Sequence, residues 1–162
     1  MGGVARIGTL TTSGAISTSY KSISNSDHRG TVSFTNELNL NKAVRTYKVT
    51  NKQIKTVRAW HGHKIEEKWI IVEEGEFLVC AVEIDDFQNP NKEQKIFEFN
   101  MTPNDGILFI PNNYANGAMN LSENNSIRYL SSLPLEESIK DDYRFESKFW
   151  DPWSKFNTNI YE

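Results

Sequence analysis

The chain has one cysteine, no excess of basic residues and no long apolar run, and each shortage excludes a class of protein. Cys80 stands alone, so no disulfide can form within the chain, which suits a reducing cytoplasm. The net charge of −3 and the pI near 5.7 lack the basic footprint of a nucleic-acid-binding protein. No apolar stretch approaches the roughly 18–20 residues of a membrane span, and no charged-then-apolar leader is visible. We therefore expect a cytoplasmic domain that binds neither nucleic acid nor membrane.

Sustained helical periodicity is also scarce, and short alternating runs between turn residues take its place. Such runs are Phe77–Ile84, Lys95–Phe99, Ile107–Ile110 and Ser126–Ser131. Turn signals recur about every 8–12 residues, which is typical of a β-sandwich or barrel. Only Pro134–Lys140 favours a short helix. The pattern predicts an all-β fold with a short helical segment near its C-terminus.

The length of 162 residues fits one domain over residues 1–162, with a core of its own. Residues 1–26 are rich in Gly, Ser and Thr, and we expect either an N-terminal strand or a poorly ordered arm there. The tail from residue 142 onward is rich in Trp, Phe and Tyr. We expect this tail to pack back onto the barrel or onto a second subunit.

The most informative stretch is Val57–Lys64, which reads VRAWHGHK and holds two of the three histidines. Alternate residues of a strand point to one face, so His61 and His63 share a face and Trp60 points away. Lys68 follows at the head of the next apolar run. Two imidazoles, an arginine and a lysine near one pocket predict either chemistry or a metal site.

A metal site is the plainer alternative for this stretch. Glu67 follows His63 at the spacing His-x-His-x3-Glu, which is the start of a metal-binding pattern. The later segment that would supply a further histidine has only Asn116, and Lys68 would add positive charge beside the cation. We therefore expect no metal.

Several separate segments resemble the cupin-type sugar-nucleotide epimerases and ketoisomerases, which modify 4-keto-6-deoxyhexoses. Asp27–Gly30 resembles the Asp-Ser-Arg-Gly turn of these enzymes. Val57–His61 resembles the Arg-Gly-Leu-His segment of the dTDP-4-dehydrorhamnose 3,5-epimerases, and Ile110–Gly117 resembles their Ile-Pro-x-Gly-Phe-Ala-His-Gly. The similarity runs from about Asp27 to Trp150 and implies a cupin-type jelly-roll barrel.

The resemblance also implies roles for individual residues. His61 corresponds to the catalytic base, Lys68 to an active-site lysine that would stabilise an enolate, and Tyr129 to the catalytic tyrosine that would return a proton. Arg29 and Arg58 would hold the diphosphate, because the arginine fork matches phosphate oxygens. The other substrate-binding positions that we expect are His63, Asn116 and Tyr47.

These correspondences predict a cofactor-independent sugar-nucleotide epimerase that inverts C3, C5 or both carbons for surface-polysaccharide synthesis. Members of the family are usually dimers that exchange N-terminal strands, so we expect a homodimer. A 3,4-ketoisomerase is the alternative, because Arg58–Lys64, Arg45–Tyr47 and Asp141–Arg144 resemble segments of that sister family. Tyr129 favours the epimerase, since a ketoisomerase would need only His61 and His63. A further alternative is a cupin that binds a nucleotide sugar without catalysis.

The chain departs from the epimerase pattern at three points. Ala59 replaces the usual glycine, and Asn116 replaces the histidine of the Ala-His-Gly segment. The aspartate that orients the base in the epimerases has no clear match. The candidates from the sequence are Asp27, Asp141 and Asp151.

Overall fold

The computed structural model describes residues 19–36, 38–158 and 160–161, which form a nearly all-β domain. Within these residues no helix has the length and apolar character needed to cross a membrane. The predicted arm over residues 1–26 lies mostly outside the described part. The strands are, in chain order, β1 (Ser19–Tyr20), β2 (Ser22–Asp27), β3 (Gly30–Thr35), β4 (Arg45–Val49), β5 (Thr56–His63), β6 (Lys68–Glu74), β7 (Phe77–Glu83), β8 (Ile96–Met101), β9 (Ile107–Ile110), β10 (Tyr114–Asn120), β11 (Ser126–Ser131), β12 (Tyr143–Arg144) and β13 (Ile160–Tyr161).

The strands form two packed sheets and one separate hairpin. The first sheet has the order β1-β9-β6-β11-β4, and the second has the order β12-β5-β10-β7-β8, with β13 beside β5. Among the strands that the structure describes, β2 and β3 pair only with each other. One helix, α1 (Leu135–Lys140), links β11 to β12, and a short 3-10 helix, Ser154–Phe156, lies near the C-terminus. The predicted all-β cupin-type sandwich with a short helical segment is confirmed.

Strand β7 shows why the apolar run in the middle of the sequence is continuous. Its odd-numbered residues Phe77, Val79 and Ala81 face the core between the two sheets. Its even-numbered residues face a second core on the outer side of the second sheet, and these are Leu78, Cys80 and Val82. A strand that is covered on both faces needs apolar residues at every position. Burial of each large side chain contributes about 1.5–3 kcal/mol.

The second core is built by the C-terminal tail. Trp60 points outward from β5 and packs against Trp150 and Trp153, with ring centroids 5.6 Å and 5.3 Å away. Its Nε1 donates hydrogen bonds to the carbonyl oxygens of Ser147 and Trp150, at 3.2 Å and 2.9 Å. The aromatic tail thus packs back onto its own domain, as one of the two sequence expectations stated.

A β-bulge interrupts the pairing of β5 with β10. Asn116 pairs with His61, and Ala118 pairs with Arg58. Over this interval β5 therefore contains one more residue than β10. Such an extra residue reverses the alternation of side chains beyond it. Arg58 and His61, which are three residues apart, can therefore point into the same space between the sheets.

Candidate active site

A cleft between the two sheets forms a pocket of about 200 Å³. The first sheet supplies its residues from β4, β6 and β11, and the second sheet supplies those from β5, β10 and β12. The side chains that line it are Tyr47, Val49, Arg58, His61, Lys68, Asn116, Tyr129 and Arg144. All three residues predicted as catalytic from the sequence and three of the five predicted as substrate-binding lie here.

His61 is a neutral imidazole in the wall formed by the second sheet. Burial lowers its pKa from the ordinary value to about 3, and the positive charges of Lys68 and Arg144 act in the same direction, while Asp142 opposes them. A neutral imidazole has a lone pair that can accept a proton. His61 is therefore in the state required of a general base at any pH near neutrality.

Asp142 is the carboxylate beside His61. Its Oδ1 lies 4.0 Å from Nδ1 of His61, is buried, and has no hydrogen-bond partner among the residues that the structure describes. Its Oδ2 accepts a hydrogen bond of 2.6 Å from Nε of Arg144. A distance of 4.0 Å is longer than a hydrogen bond, but such contacts tighten when substrate closes a site. Asp142 can thus orient His61 with Nε2 left available.

The three aspartates named from the sequence have other partners. Asp27 pairs with Arg29 on the hairpin, and Asp151 accepts backbone hydrogen bonds within the tail. Asp141 accepts three backbone hydrogen bonds from residues 64–66, at 2.8–3.0 Å. Sequence reasoning missed Asp142, although the Asp-Asp-Tyr-Arg tail that it noted contains this residue. The pairing of β12 with β5, which sets Arg144 opposite His61, brings that tail to the site.

Lys68 projects from the first sheet at the start of β6 and is 6% exposed. Burial lowers the pKa of its ammonium group to about 8, and the carboxylates of Glu66 and Asp142 oppose this decrease. Its Nζ lies 4.0 Å from Oε2 of Glu66. Lys68 is therefore charged at neutral pH and buried, and a buried positive charge acts strongly on a developing anion.

Tyr129 and Tyr47 lie on the first sheet, across the pocket from β5. They are opposite each other on β11 and β4, and their rings stack with centroids 5.0 Å apart and planes 8° apart. Burial raises the pKa of Tyr129, and the nearby Arg58 partly offsets that rise. Burial raises the pKa of Tyr47 as well. Both phenols therefore keep their protons near neutral pH, and Tyr129 is able to donate one.

Arg58 and Asn116 complete the wall of the second sheet. Nε of Arg58 donates a 2.7 Å hydrogen bond to Oδ1 of the buried Asn51, which fixes the direction of the guanidinium. Nδ2 of Asn116 donates to the backbone carbonyl of His61 at 3.3 Å. Arg144, which sequence reasoning did not single out, adds a second guanidinium at the pocket. Two arginines and one lysine make the cleft attractive to an anion.

His63 and Arg29 are not among the lining residues. His63 shares the inner face of β5 but is buried behind the pocket, where Nδ1 lies 2.9 Å from the carbonyl oxygen of Asp141. Arg29 lies at the tip of the hairpin and lines a separate groove there. Glu67, the third member of the metal pattern, forms an ion pair with Lys42 at 3.1 Å. The described residues contain no group of three or more His, Cys, Asp or Glu side chains that could hold a metal ion.

The arrangement places a neutral imidazole on one wall, a phenol on the opposite wall and a buried ammonium group beside the phenol. Nζ of Lys68 is 5.9 Å from the ring centroid of Tyr129. A carbon acid held between the walls could lose a proton to one side and gain a proton from the other. The ammonium group could stabilise the negative charge that forms between these two steps.

Comparison with solved structures identifies the same architecture in several sugar-nucleotide enzymes. One is a dTDP-4-dehydrorhamnose 3,5-epimerase from Bacillus anthracis str. Ames with TDP and PPi bound, at 18% identity, 88% coverage of this chain, 86% of that chain and a TM-score of 0.69. Another is the 3′-monoepimerase ChmJ from Streptomyces bikiniensis in complex with dTDP-quinovose, at 13% identity, 90% and 77% coverage and a TM-score of 0.67. A third is the 3,4-ketoisomerase QdtA from Thermoanaerobacterium thermosaccharolyticum in complex with TDP, at 21% identity, 88% and 97% coverage and a TM-score of 0.59. At these identities the likeness shows the fold.

Comparison with curated proteins found no match. A family model does match the sequence, over residues 17–150, and its description is "FdtA: WxcM-like, C-terminal". The match spans most of the chain, including every strand of the two sheets except β13 and every residue that lines the pocket. The resemblance to cupin-type sugar-nucleotide enzymes that the sequence predicted is confirmed, and the chain belongs to the FdtA, WxcM-like C-terminal family.

Proposed function

We propose that the protein is a cofactor-independent sugar-nucleotide epimerase that inverts C3, C5 or both carbons of a nucleotide-linked 4-keto-6-deoxy sugar. The observation that carries this proposal is the position of His61 and Tyr129 on opposite sheets of one pocket. Inversion at carbon requires removal of a proton from one face and return of a proton to the other. A base and an acid on facing walls meet that requirement.

The chemistry follows from the 4-keto group of the sugar, which acidifies the protons on C3 and C5. Neutral His61 takes one of these protons, and the electron pair of the C–H bond moves into an enolate. The ammonium group of Lys68 stabilises the enolate oxygen. Tyr129 then gives its proton to the opposite face of the carbon, and solvent restores the phenol and removes the proton from His61. These proton transfers require no oxidant and no metal.

The positive charges of the pocket support a nucleotide-diphosphate sugar as the substrate. Arg58, fixed by Asn51, and Arg144 present guanidinium groups, which bind phosphate oxygens well. Asn116 and Tyr47 would contact the sugar. The similar structures from B. anthracis, S. bikiniensis and T. thermosaccharolyticum hold TDP or a dTDP-sugar. We also place the protein in the cytoplasm, where the free thiol of Cys80 would remain reduced, and in deoxysugar synthesis for surface polysaccharides.

A 3,4-ketoisomerase is the second candidate, and one observation favours it. Nε2 of His63 is buried and has no hydrogen-bond partner among the residues described. It lies on the same face of β5 as His61, and two adjacent imidazoles could move a proton between C3 and the C4 oxygen on one side of the ring. Tyr129 would have no proton to transfer in that reaction.

Product analysis separates the candidates. The protein is incubated with the dTDP, GDP, UDP and CDP forms of 4-keto-6-deoxyhexoses, and each product is identified by NMR. An epimer at C3 or C5 supports the proposal, and a 3-keto product supports the ketoisomerase. Binding of one nucleotide sugar without any turnover would mean that the pocket only binds, and the enzyme proposal would be wrong.

Replacing Tyr129 with phenylalanine should uncouple proton removal from inversion. The variant keeps the ring that stacks on Tyr47 and loses only the hydroxyl proton donor. We expect epimer formation to fall about 10²–10⁴-fold, the range for loss of a general acid, while exchange of the substrate proton with solvent continues. Deuterium NMR and product analysis on one sample measure both rates. Full epimer formation in this variant would rule out Tyr129 as the acid.

The hairpin β2–β3 supports a homodimer. Its pairing puts Ile23 opposite Phe34 and Asn25 opposite Val32, so one face carries the exposed apolar side chains Ile23, Val32 and Phe34. The other face carries only Ser and Thr residues. An isolated two-stranded hairpin is marginally stable in water, so this apolar face needs a cover. A second copy would supply one and would bring Arg29 to a pocket.

Sedimentation velocity tests the homodimer. We expect the wild type to sediment as a dimer at micromolar concentration, and the double variant Val32→Ser/Phe34→Ser to sediment mainly as a monomer. The matched control is Ser33→Ala on the polar face, which should remain dimeric. A monomeric wild type would contradict the proposal that the apolar face of the hairpin forms the dimer interface. A dimer that tolerates the double substitution would contradict it as well.

A further inference from the structure

Glu66 is a buried carboxylate directly behind the pocket, and the chemistry proposed above does not use it. It is 1% exposed and lies in the connection between β5 and β6. Its Oε1 accepts hydrogen bonds from Nη2 of Arg45, at 3.0 Å, and from the hydroxyl of Ser131. Its Oε2 accepts one from the hydroxyl of Ser138 at 3.1 Å. Glu66 is therefore tied to β4, β11 and α1 at once.

The same carboxylate also faces two residues that matter for the pocket. Oε2 lies 3.0 Å from Nδ1 of His63 and 4.0 Å from Nζ of Lys68. Removal of a carboxylate from water is costly, and Arg45 with two serines would already satisfy it. The additional contacts to an imidazole and an ammonium group point to a role beyond holding the elements together.

The geometry fixes the tautomer of His63. Its Nδ1 lies between the carbonyl oxygen of Asp141 at 2.9 Å and Oε2 of Glu66 at 3.0 Å. Both oxygens are acceptors when Glu66 is ionised, so Nδ1 must carry the hydrogen. In the neutral ring Nε2 then holds the lone pair, and this nitrogen is the one that is buried without a partner among the described residues.

Several charged groups lie near Lys68. Among them, Glu66 favours the charged form of the ammonium group most strongly. Glu66 and Asp142 favour the charged form, in that order, and Arg45 and Arg144 oppose it together with burial. His61 and His63 also lie near this ammonium group, which disfavours protonation of either ring. Without Glu66, Asp142 would be the main carboxylate left to oppose burial and the two arginines.

We propose that Glu66 is a positioning residue whose single buried carboxylate keeps the Lys68 ammonium group charged and holds His63 in its Nδ1–H tautomer. The catalytic consequence rests on the proposed function, because it assumes that Lys68 stabilises an enolate. The electrostatic statement about Lys68 and His63 does not depend on any substrate.

The test compares Glu66→Gln with a matched control, Glu67→Gln. Glutamine keeps the shape of the side chain and removes its charge. Glu67 is the adjacent carboxylate and pairs with Lys42 away from the pocket, so its substitution changes net charge equally without touching Lys68. A third variant, Ser138→Ala, keeps the Glu66 charge and removes one of its hydrogen bonds. Thermal unfolding of all three variants shows which of them remain folded.

Three readouts follow Lys68, His63 and catalysis separately. Titration of the Lys68 Cε carbon by NMR should show its pKa lowered by about one to two units in Glu66→Gln, the range for loss of an opposite charge at this distance. Nitrogen-15 NMR should show the Nδ1–H tautomer of His63 in the wild type and a larger share of the Nε2–H tautomer in Glu66→Gln, where the carbonyl oxygen of Asp141 still favours hydrogen on Nδ1 but the carboxylate no longer does. The alkaline limb of kcat should move to lower pH by the same one to two units. Glu67→Gln and Ser138→Ala should match the wild type in all three readouts.

The proposal is wrong if the wild type shows His63 as the Nε2–H tautomer, or if Glu66→Gln leaves the Lys68 titration unchanged. The first of these measurements needs no variant. It therefore still tests the proposal if Glu66→Gln does not fold. If no sugar nucleotide is converted by the wild type, the proposed function fails while the two NMR readouts still decide the role of Glu66. The two failures are thus distinguishable.

Discussion

The variant His61→Asn should lose about 10²–10⁴-fold in kcat, because asparagine keeps a polar side chain of similar reach but cannot accept a proton from carbon. The structure gives His61 both properties of a base, a neutral ring and a position on the pocket wall. Affinity for the nucleotide diphosphate should change little, since the guanidinium groups that would bind it remain. Steady-state kinetics and calorimetry measure the two effects. A variant with near-normal turnover would rule out His61 as the base.

The pH profile gives an independent check on His61. Its pKa is lowered to about 3, so the neutral base persists as the pH falls through the ordinary range of histidine. We therefore expect no acidic limb of kcat near pH 6.5. The variant Asp142→Asn should show a smaller decrease in kcat than His61→Asn. Asp142 lies 4.0 Å from Nδ1 of His61 and orients the imidazole, but it does not contact the substrate. An acidic limb near pH 6.5 that disappears in His61→Asn would contradict the lowered pKa of His61.

The variant Lys68→Met should lose about 10²–10³-fold in kcat, because methionine fills the same buried site without the charge that stabilises the enolate. In the wild type the ammonium group has a pKa of about 8. The charged form is therefore present below that pH and is lost above it, so activity should decline as the pH rises through about 8. Lys68→Met should show a flat profile across this range. A decline that persists in Lys68→Met would assign the alkaline limb to another group.

Alternation predicted the all-β class and the shared face of His61 and His63, whereas the cupin-type barrel and the candidate site residues came from the resemblance to a family. In β5, alternation puts His61 and His63 inward and Trp60 outward, and the structure agrees. The continuous apolar run of β7 also follows, although the sequence could not show that its two faces cover two different cores. Alternation is local, so it needs no knowledge of neighbouring strands.

Features that depend on a partner strand could not be predicted in this way. The bulge that turns Arg58 toward His61 exists only relative to β10, since the extra residue is defined by the pairing. Asp142 reaches His61 because β12 pairs with β5 across just over eighty residues of sequence. Neighbouring aspartates in an extended tail point in different directions, and the sequence offered no way to prefer Asp142 over Asp141.

The side-chain directions in the connection between β5 and β6 could not be predicted for a related reason. Glu67 has the spacing of a metal ligand, but spacing rules assume regular structure and this connection is irregular. The structure turns Glu67 toward Lys42 and buries Glu66 instead. Arg29, predicted to contact the diphosphate, lies on a hairpin that pairs with no other described strand of its own chain. In the proposed homodimer, Arg29 could approach the cleft of the second copy.

Solvent deuterium exchange tests the central claim most directly, namely that His61 and Tyr129 transfer protons on opposite faces of one sugar carbon. The protein is incubated in deuterated water with the 4-keto-6-deoxy sugar nucleotide that it binds, and the products are examined by NMR and mass spectrometry. We expect deuterium at C3, C5 or both, with inverted configuration at each labelled carbon and no label in His61→Asn. Deuterium with retained configuration and a ketone at C3 would contradict two-face transfer and assign the pocket to a ketoisomerase.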